Sequence, residues 1–290
     1  MWAIFLIACK RSITYLAFRQ RIFRMSMNRS LFIGGRTGKI IAIANQKGGV
    51  GKTTTAVNLS ACLALAEKRT LLLDIDPQAN SASALGIDKN EILVSVYEML
   101  VGACSVQDAI IATEIPFLHF IPATISLAGA EVEMVNMVSR ETLLRQALAS
   151  IRNCYDYILI DCPPSLGLLS VNALVAADSA IIPVQCEYFA LEGLSQLLNT
   201  IQLVKNNLNP GLEIEGAALT MFDSRLNLSK QVAAEIRRHF NDKVYRTVVN
   251  RSVRLSEAPS FGKPIVLYDI NSSGAENYMA LAAEFIGANN

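Results

Sequence analysis

Hydrophobic residues along this chain fall into short runs that alternate with longer stretches of helical spacing. Residues 40–44 form a continuous apolar run, followed by a glycine-rich turn and a helical pattern over 52–67. Further strands are predicted at 70–75, 118–121, 157–160, 179–183 and 214–220. Helical patterns lie near 94–100, 126–138, 141–151, 168–176, 191–208, 228–240 and 274–286. Strands that are apolar on both faces and alternate with helices predict an α/β fold, a mostly parallel sheet with helices on both faces. No repeat or low-complexity linker interrupts residues 39–290, which read as one domain. Ligands of such sheets bind at the carboxyl ends of the strands. The residues with chemical potential cluster at those ends.

The first of them is Lys47-Gly48-Gly49-Val50-Gly51-Lys52-Thr53-Thr54, set between a predicted strand and a predicted helix. Glycines there let successive backbone N–H groups turn inward and cradle phosphate oxygens, and the helix start adds its positive dipole end. Lys52 is placed to neutralise the β- and γ-phosphates, and the Thr53 hydroxyl to ligate Mg²⁺. Lysine at position 47 is not required by the general phosphate-loop pattern. Two acidic strand ends accompany the loop. Leu71-Leu72-Leu73-Asp74-Ile75-Asp76-Pro77 closes one strand with two carboxylates, which strand alternation would turn to the same side. Such a carboxylate orients water for attack on a γ-phosphate or holds the metal through water. Tyr157-Ile158-Leu159-Ile160-Asp161 is an apolar strand ending in a carboxylate suited to the metal, and Pro163-Pro164 then forces the chain into a loop.

The lysine-first form of the loop resembles the deviant Walker A motif of the ParA/MinD group of P-loop ATPases. Within that group the chain is similar to the ParA/Soj chromosome-partitioning family. The similarity rests on Ile121-Pro122-Ala123-Thr124, Pro183-Val184-Gln185-Cys186-Glu187-Tyr188, Ala190-Leu191-Glu192-Gly193-Leu194, Arg254-Leu255-Ser256-Glu257-Ala258-Pro259-Ser260 and Gly262-Lys263-Pro264. It covers nearly everything from Lys39 to about Ile286. The resemblance implies an ATP hydrolase with Mg²⁺ that forms a homodimer with ATP. It also implies binding to non-specific double-stranded DNA and stimulation by a ParB-like protein, in the cytoplasm at the nucleoid. Lys47 would cross the dimer to the partner's phosphates, Asp76 would position water, and Asp74 and Asp161 would serve the metal with Thr53. Asn250 and Ser252 are the positions carried over beside the adenine, although the family usually has Pro-Arg-Asn where this chain reads Asn250-Arg251-Ser252. Arg225 and Arg254 match the positions that bind DNA in Soj-like relatives.

Charge sharpens that picture. The net charge is +1, but residues 1–39 hold eight basic residues and no acid, and residues 40–224 hold nine basic against nineteen acidic. Residues 225–264 hold nine basic against three acidic, an asymmetry that marks a surface for a polyanion. Residues 1–38 read as a basic extension, disordered or with a mis-assigned start, and Met25 or Met27 is the expected real start. Six scattered cysteines without a Cys-x-x-Cys pair suggest buried, reduced thiols rather than a metal site. A MinD-like membrane-associated ATPase is the alternative, and it should end in a basic amphipathic helix. After Lys263 this chain has no lysine or arginine, so no membrane partner is expected.

Overall fold

A computed structural model describes residues 37–187 and 190–289. The expectation for the basic extension and its start residue therefore lies outside the described residues, except at its last two positions. Eight strands form one sheet, in the spatial order β3-β4-β2-β5-β1-β6-β7-β8. They are β1 (Lys39–Ile43), β2 (Thr70–Asp74), β3 (Ile111–Ala112), β4 (Leu118–Ile121), β5 (Tyr157–Asp161), β6 (Ser179–Gln185), β7 (Glu213–Phe222) and β8 (Val244–Asn250). Every pairing is parallel except the short antiparallel contact of β3 with β4 at one edge.

Alternation along β1 explains why both sheet faces are covered. Ile40 and Ala42 enter one apolar core, and Ile41 and Ile43 enter the other. The first core is closed by α3 (Val96–Leu100), α4 (Leu127–Met134), α5 (Leu143–Ala149), α6 (Leu168–Ala176), α7 (Ala190–Asn207) and α8 (Asn227–Phe240). The second is closed by α1 (Lys52–Leu65), α10 (Ile265–Tyr268) and α11 (Ser273–Asn289), with the short helices α2 (Asn80–Ala84) and α9 (Val253–Glu257) at its margin. Residues Thr55 to Ala64 of α1 are all buried, so this helix is a core element rather than an amphipathic cover. Its Thr55 hydroxyl meets the Tyr278 hydroxyl of α11 at 3.1 Å.

Several elements differ from the pattern-based expectation. β8 was not predicted, and β7 runs two residues beyond the predicted strand at its carboxyl end. The helix expected over 126–138 stops as α4 at Met134, and Ser139 adopts a left-handed φ of 56° before α5 begins. Alternation also does not place Asp76, because β2 ends at Asp74 and Asp76 stands in the following loop.

At the amino-terminal edge of the sheet Glu215 joins three elements. Its carboxylate accepts from Lys39 Nζ, from the Ser179 hydroxyl at 2.6 Å and from Asn289 Nδ2 at 2.7 Å. Burial alone would raise the Glu215 pKa, but these donors outweigh it and hold the group below 4.5. A depressed folded-state pKa stabilises the fold above the unfolded value and loses that contribution as pH falls through the folded value. Glu215→Gln should therefore lower unfolding free energy by about 1.5–3 kcal/mol at neutral pH. In denaturant titrations the gap from wild type should close as pH drops below 4.5.

Candidate active site

The loop between β1 and α1 is fixed from two sides. Asn45 Nδ2 donates to the Pro183 carbonyl of β6 at 2.7 Å, and the Thr220 hydroxyl of β7 donates to the Val50 carbonyl at 2.8 Å. Gly49 and Gly51 take φ values of 74° and 88°, which L side chains rarely adopt. Gly51 stands at the N-cap of α1 and supplies no side-chain cap, and no acidic residue occupies the first turn. The first N–H groups of this helix thus keep their hydrogen-bonding capacity and positive potential for a ligand.

Lys52 opens α1 and is 7% exposed, with Nζ donating to the Lys47 carbonyl at 3.1 Å. Burial lowers its pKa, while Asp161, Cys162 and Asp76 pull it back up. A buried cation is therefore already facing buried carboxylates. Lys47 is about one third exposed, and its ammonium lies 4.0 Å from Glu187 Oε2. The other Glu187 oxygen accepts from Gln185 Nε2 at 2.6 Å and lies 3.7 Å from the Arg251 guanidinium.

Asp74 and Asp161 are paired across neighbouring strands β2 and β5 and are fully buried. Their surroundings separate them. Asp74 accepts backbone N–H groups with both oxygens, from Asp76 at 2.9 Å and from Ser81 at 3.2 Å. Asp161 Oδ2 accepts the Ser81 hydroxyl at 2.9 Å, whereas Oδ1 has no hydrogen-bond partner. Burial pushes Asp161 up to about 7, opposed by the Thr53 and Ser81 hydroxyls and by Lys52. Burial and the Asp161 charge also raise Asp74, against its two backbone donors. An unpartnered carboxylate oxygen beside the Thr53 hydroxyl is a hard oxygen donor set that fits Mg²⁺. Among the described residues no group of three or more His, Cys, Asp or Glu side chains is placed to enclose a metal. Asp76 is almost buried, and its Oδ1 accepts the Gln78 N–H at 3.0 Å.

Beyond Gly51 and Thr54 a cavity of about 500 Å³ opens, lined by Met221, Val249, Asn250, Ser252, Leu255 and Tyr278 among others. Its mainly apolar walls suit a planar heterocycle next to the phosphate cradle. The structure thus brings Gly48, Gly49, Val50, Gly51, Lys52, Thr53, Thr54, Asp74, Asp76 and Asp161 to one edge of the sheet, with Asn250 and Ser252 in the adjoining cavity. Arg225 and Arg254 lie outside it. Arg225 is 86% exposed at its side chain and holds Asp223 in a double contact at 2.9 and 2.6 Å. That pairing takes the Asp223 carboxyl down to about 2. Arg254 lies 2.9 Å from Glu257 and 3.5 Å from Asp269. Thr220 and Ser81 were missed by sequence reasoning. Neither stands in a phosphate-binding pattern, and only the fold brings their hydroxyls to the loop and to Asp161.

Comparison with known proteins bears on this geometry. The AAA domain family model matches residues 38–214. The chain is 62% identical over 247 residues to the sporulation initiation inhibitor protein Soj of Bacillus subtilis, covering 85% of this chain and 98% of that protein. It is 59% identical over 249 residues to the chromosome partitioning protein ParA of Myxococcus xanthus, covering 86% and 88%. Among solved structures it resembles cobyrinic acid a,c-diamide synthase of Mycobacterium smegmatis with bound ADP and magnesium. That match has a TM-score of 0.75 and 37% identity, over 84% of this chain and 92% of the other.

Two substitutions test the cradle. Lys52→Ala should weaken binding of a fluorescent ATP analogue at least tenfold, about 1.4 kcal/mol or more, with far-ultraviolet circular dichroism unchanged. Thr220→Val strands the buried Val50 carbonyl at a cost of about 1–3 kcal/mol. It should lower both the melting temperature and the affinity for that analogue, although Thr220 precedes no recognised motif.

Proposed function

Because this chain belongs to the Soj/ParA family of chromosome-partitioning ATPases, we propose that it cycles between a nucleotide-free monomer and an ATP-bound homodimer that holds non-specific double-stranded DNA. The observation that supports this most is the uncapped start of α1, with buried Lys52 and the unpartnered Asp161 oxygen beside it. The triphosphate lies along the N–H groups of residues 48–54, and the adenine enters the cavity at Asn250 and Ser252. Thr53 and Asp161 hold Mg²⁺, which when bound neutralises charge on the phosphate oxygens. Asp74 shapes the loop that carries Asp76. Asp76 orients the attacking water. Lys47, set only loosely against Glu187, is released to reach the phosphates of the second subunit. A ParB-like protein accelerates the hydrolysis step.

For DNA, Arg225 and Arg254 supply phosphate contacts, with Arg251 lining the same shallow cavity as Arg225. Both guanidinium groups stay largely in solvent beside their carboxylate partners, within reach of DNA phosphates. A membrane-bound alternative finds no support in α11. This helix buries Tyr278, Leu281, Phe285 and Ile286 and carries no lysine or arginine. Among the described residues no helix is long and apolar enough to cross a membrane.

Retention of DNA should require ATP rather than ADP and should fall steeply as salt rises. Arg225→Ala combined with Arg254→Ala should reduce retention and flatten the salt dependence, leaving ATP affinity unchanged in the same assay series. Asp76→Ala should hold protein on DNA with ATP while phosphate release drops to background. Equal retention with ATP and ADP would remove the nucleotide switch.

A further inference from the structure

Ser81 touches both buried carboxylates of the site and belongs to neither of the strands that present them. It is wholly buried in the second position of α2. Its backbone N–H donates to Asp74 Oδ2 at 3.2 Å, and its hydroxyl donates to Asp161 Oδ2 at 2.9 Å. The loop that delivers it is closely specified. Ile75 N–H donates to the Asp161 carbonyl, Asp76 N–H to Asp74 Oδ1, and Ala79 N–H to the Asp76 carbonyl. Ala79 takes a left-handed φ of 52°, a conformation that a residue with a Cβ adopts only when its surroundings enforce it.

A carboxylate can turn about its Cβ–Cγ bond, and one that must meet a cation has to present a chosen oxygen. We propose that Ser81 is a positioning residue for the metal: its hydroxyl fixes the Asp161 carboxylate by Oδ2 so that Oδ1 is kept for Mg²⁺. Two observations carry this. The hydroxyl is the hydrogen bond that holds Oδ2, and Oδ1 is left as a buried acceptor with no partner, a costly state that a cation relieves. Partners that orient a metal ligand in this way typically contribute ten- to a hundredfold to metal affinity. Because Ser81 lies five residues after Asp76, at the start of the helix that follows its loop, the hydroxyl also ties the water-positioning segment to the metal carboxylate. The proposal rests on the reading that Asp161 and Thr53 hold Mg²⁺.

The test follows a fluorescent ADP analogue on the full chain, titrated with Mg²⁺, and compares wild type with Ser81→Ala. Affinity for the analogue is also measured in EDTA. Alanine suits a helix and removes only the hydroxyl, and thermal melting checks the fold. The expected result is a rise of about tenfold in the Mg²⁺ concentration at half-saturation, with affinity in EDTA unchanged. An identical Mg²⁺ titration for the two proteins overturns the proposal. So does a parallel loss with and without Mg²⁺, since that is what a purely structural hydroxyl would give. Asp161→Asn separates the two levels of the reading. If wild type and Asp161→Asn respond alike to Mg²⁺, the metal assignment itself fails; if only Ser81→Ala matches wild type, the Ser81 role alone fails.

Discussion

The start of α1 governs this structure. A helix whose first turn has neither a side-chain cap nor an acid leaves several N–H groups to be satisfied from outside. Here that end is buried at the carboxyl edge of a parallel sheet, with Lys52 beside it. Positive potential from the helix and from lysine accumulates at one point, and the left-handed glycines of the preceding loop keep Cβ atoms away from it. The anchors at Pro183 and Thr220 hold the loop open from outside, so its own backbone need not fold inward. An anion of several oxygens completes this arrangement.

The negative side of the site has a complementary logic. Three aspartates gather near one lysine, yet their hydrogen bonds assign them different work. Both Asp74 oxygens accept backbone N–H groups from the segment after β2. Asp161 keeps one oxygen uncommitted and sits on the strand next to the phosphate loop. Asp76 stands just past the strand end, where the chain bends toward the edge of the sheet. Full burial of two adjacent carboxylates is costly, which is why both are held above the ordinary carboxylate range. The guanidinium groups of Arg225 and Arg254, by contrast, hold their ion pairs at the surface, 86% and 55% exposed at their side chains.

Much of the arrangement is written in the chain itself. Continuous apolar runs at β1, β2, β5 and β6 announce buried parallel strands, because every residue there must be acceptable to one face or the other. The glycine-lysine-threonine loop reads directly, since its backbone demands leave few other residue choices. β8 is harder to see, because its exposed Arg246 and half-buried Thr247 at the sheet edge break the apolar run. That omission hid the route by which Asn250 reaches the cavity wall. Asp76 was placed near the site for the wrong geometric reason, since a strand period stops applying where the strand stops. Thr220 and Ser81 were invisible, as a hydroxyl's role depends on which distant atom the fold sets 3 Å away.

Amide hydrogen exchange with saturating Mg²⁺ and a non-hydrolysable ATP analogue examines the cradle at its own atoms. If the backbone after β1 wraps the triphosphate, the amides of residues 48–54 should gain the largest protection, and that gain should be lost in a chain lacking the Lys52 ammonium. Bound nucleotide with unchanged exchange over 48–54, or protection centred elsewhere on the sheet, would contradict the account.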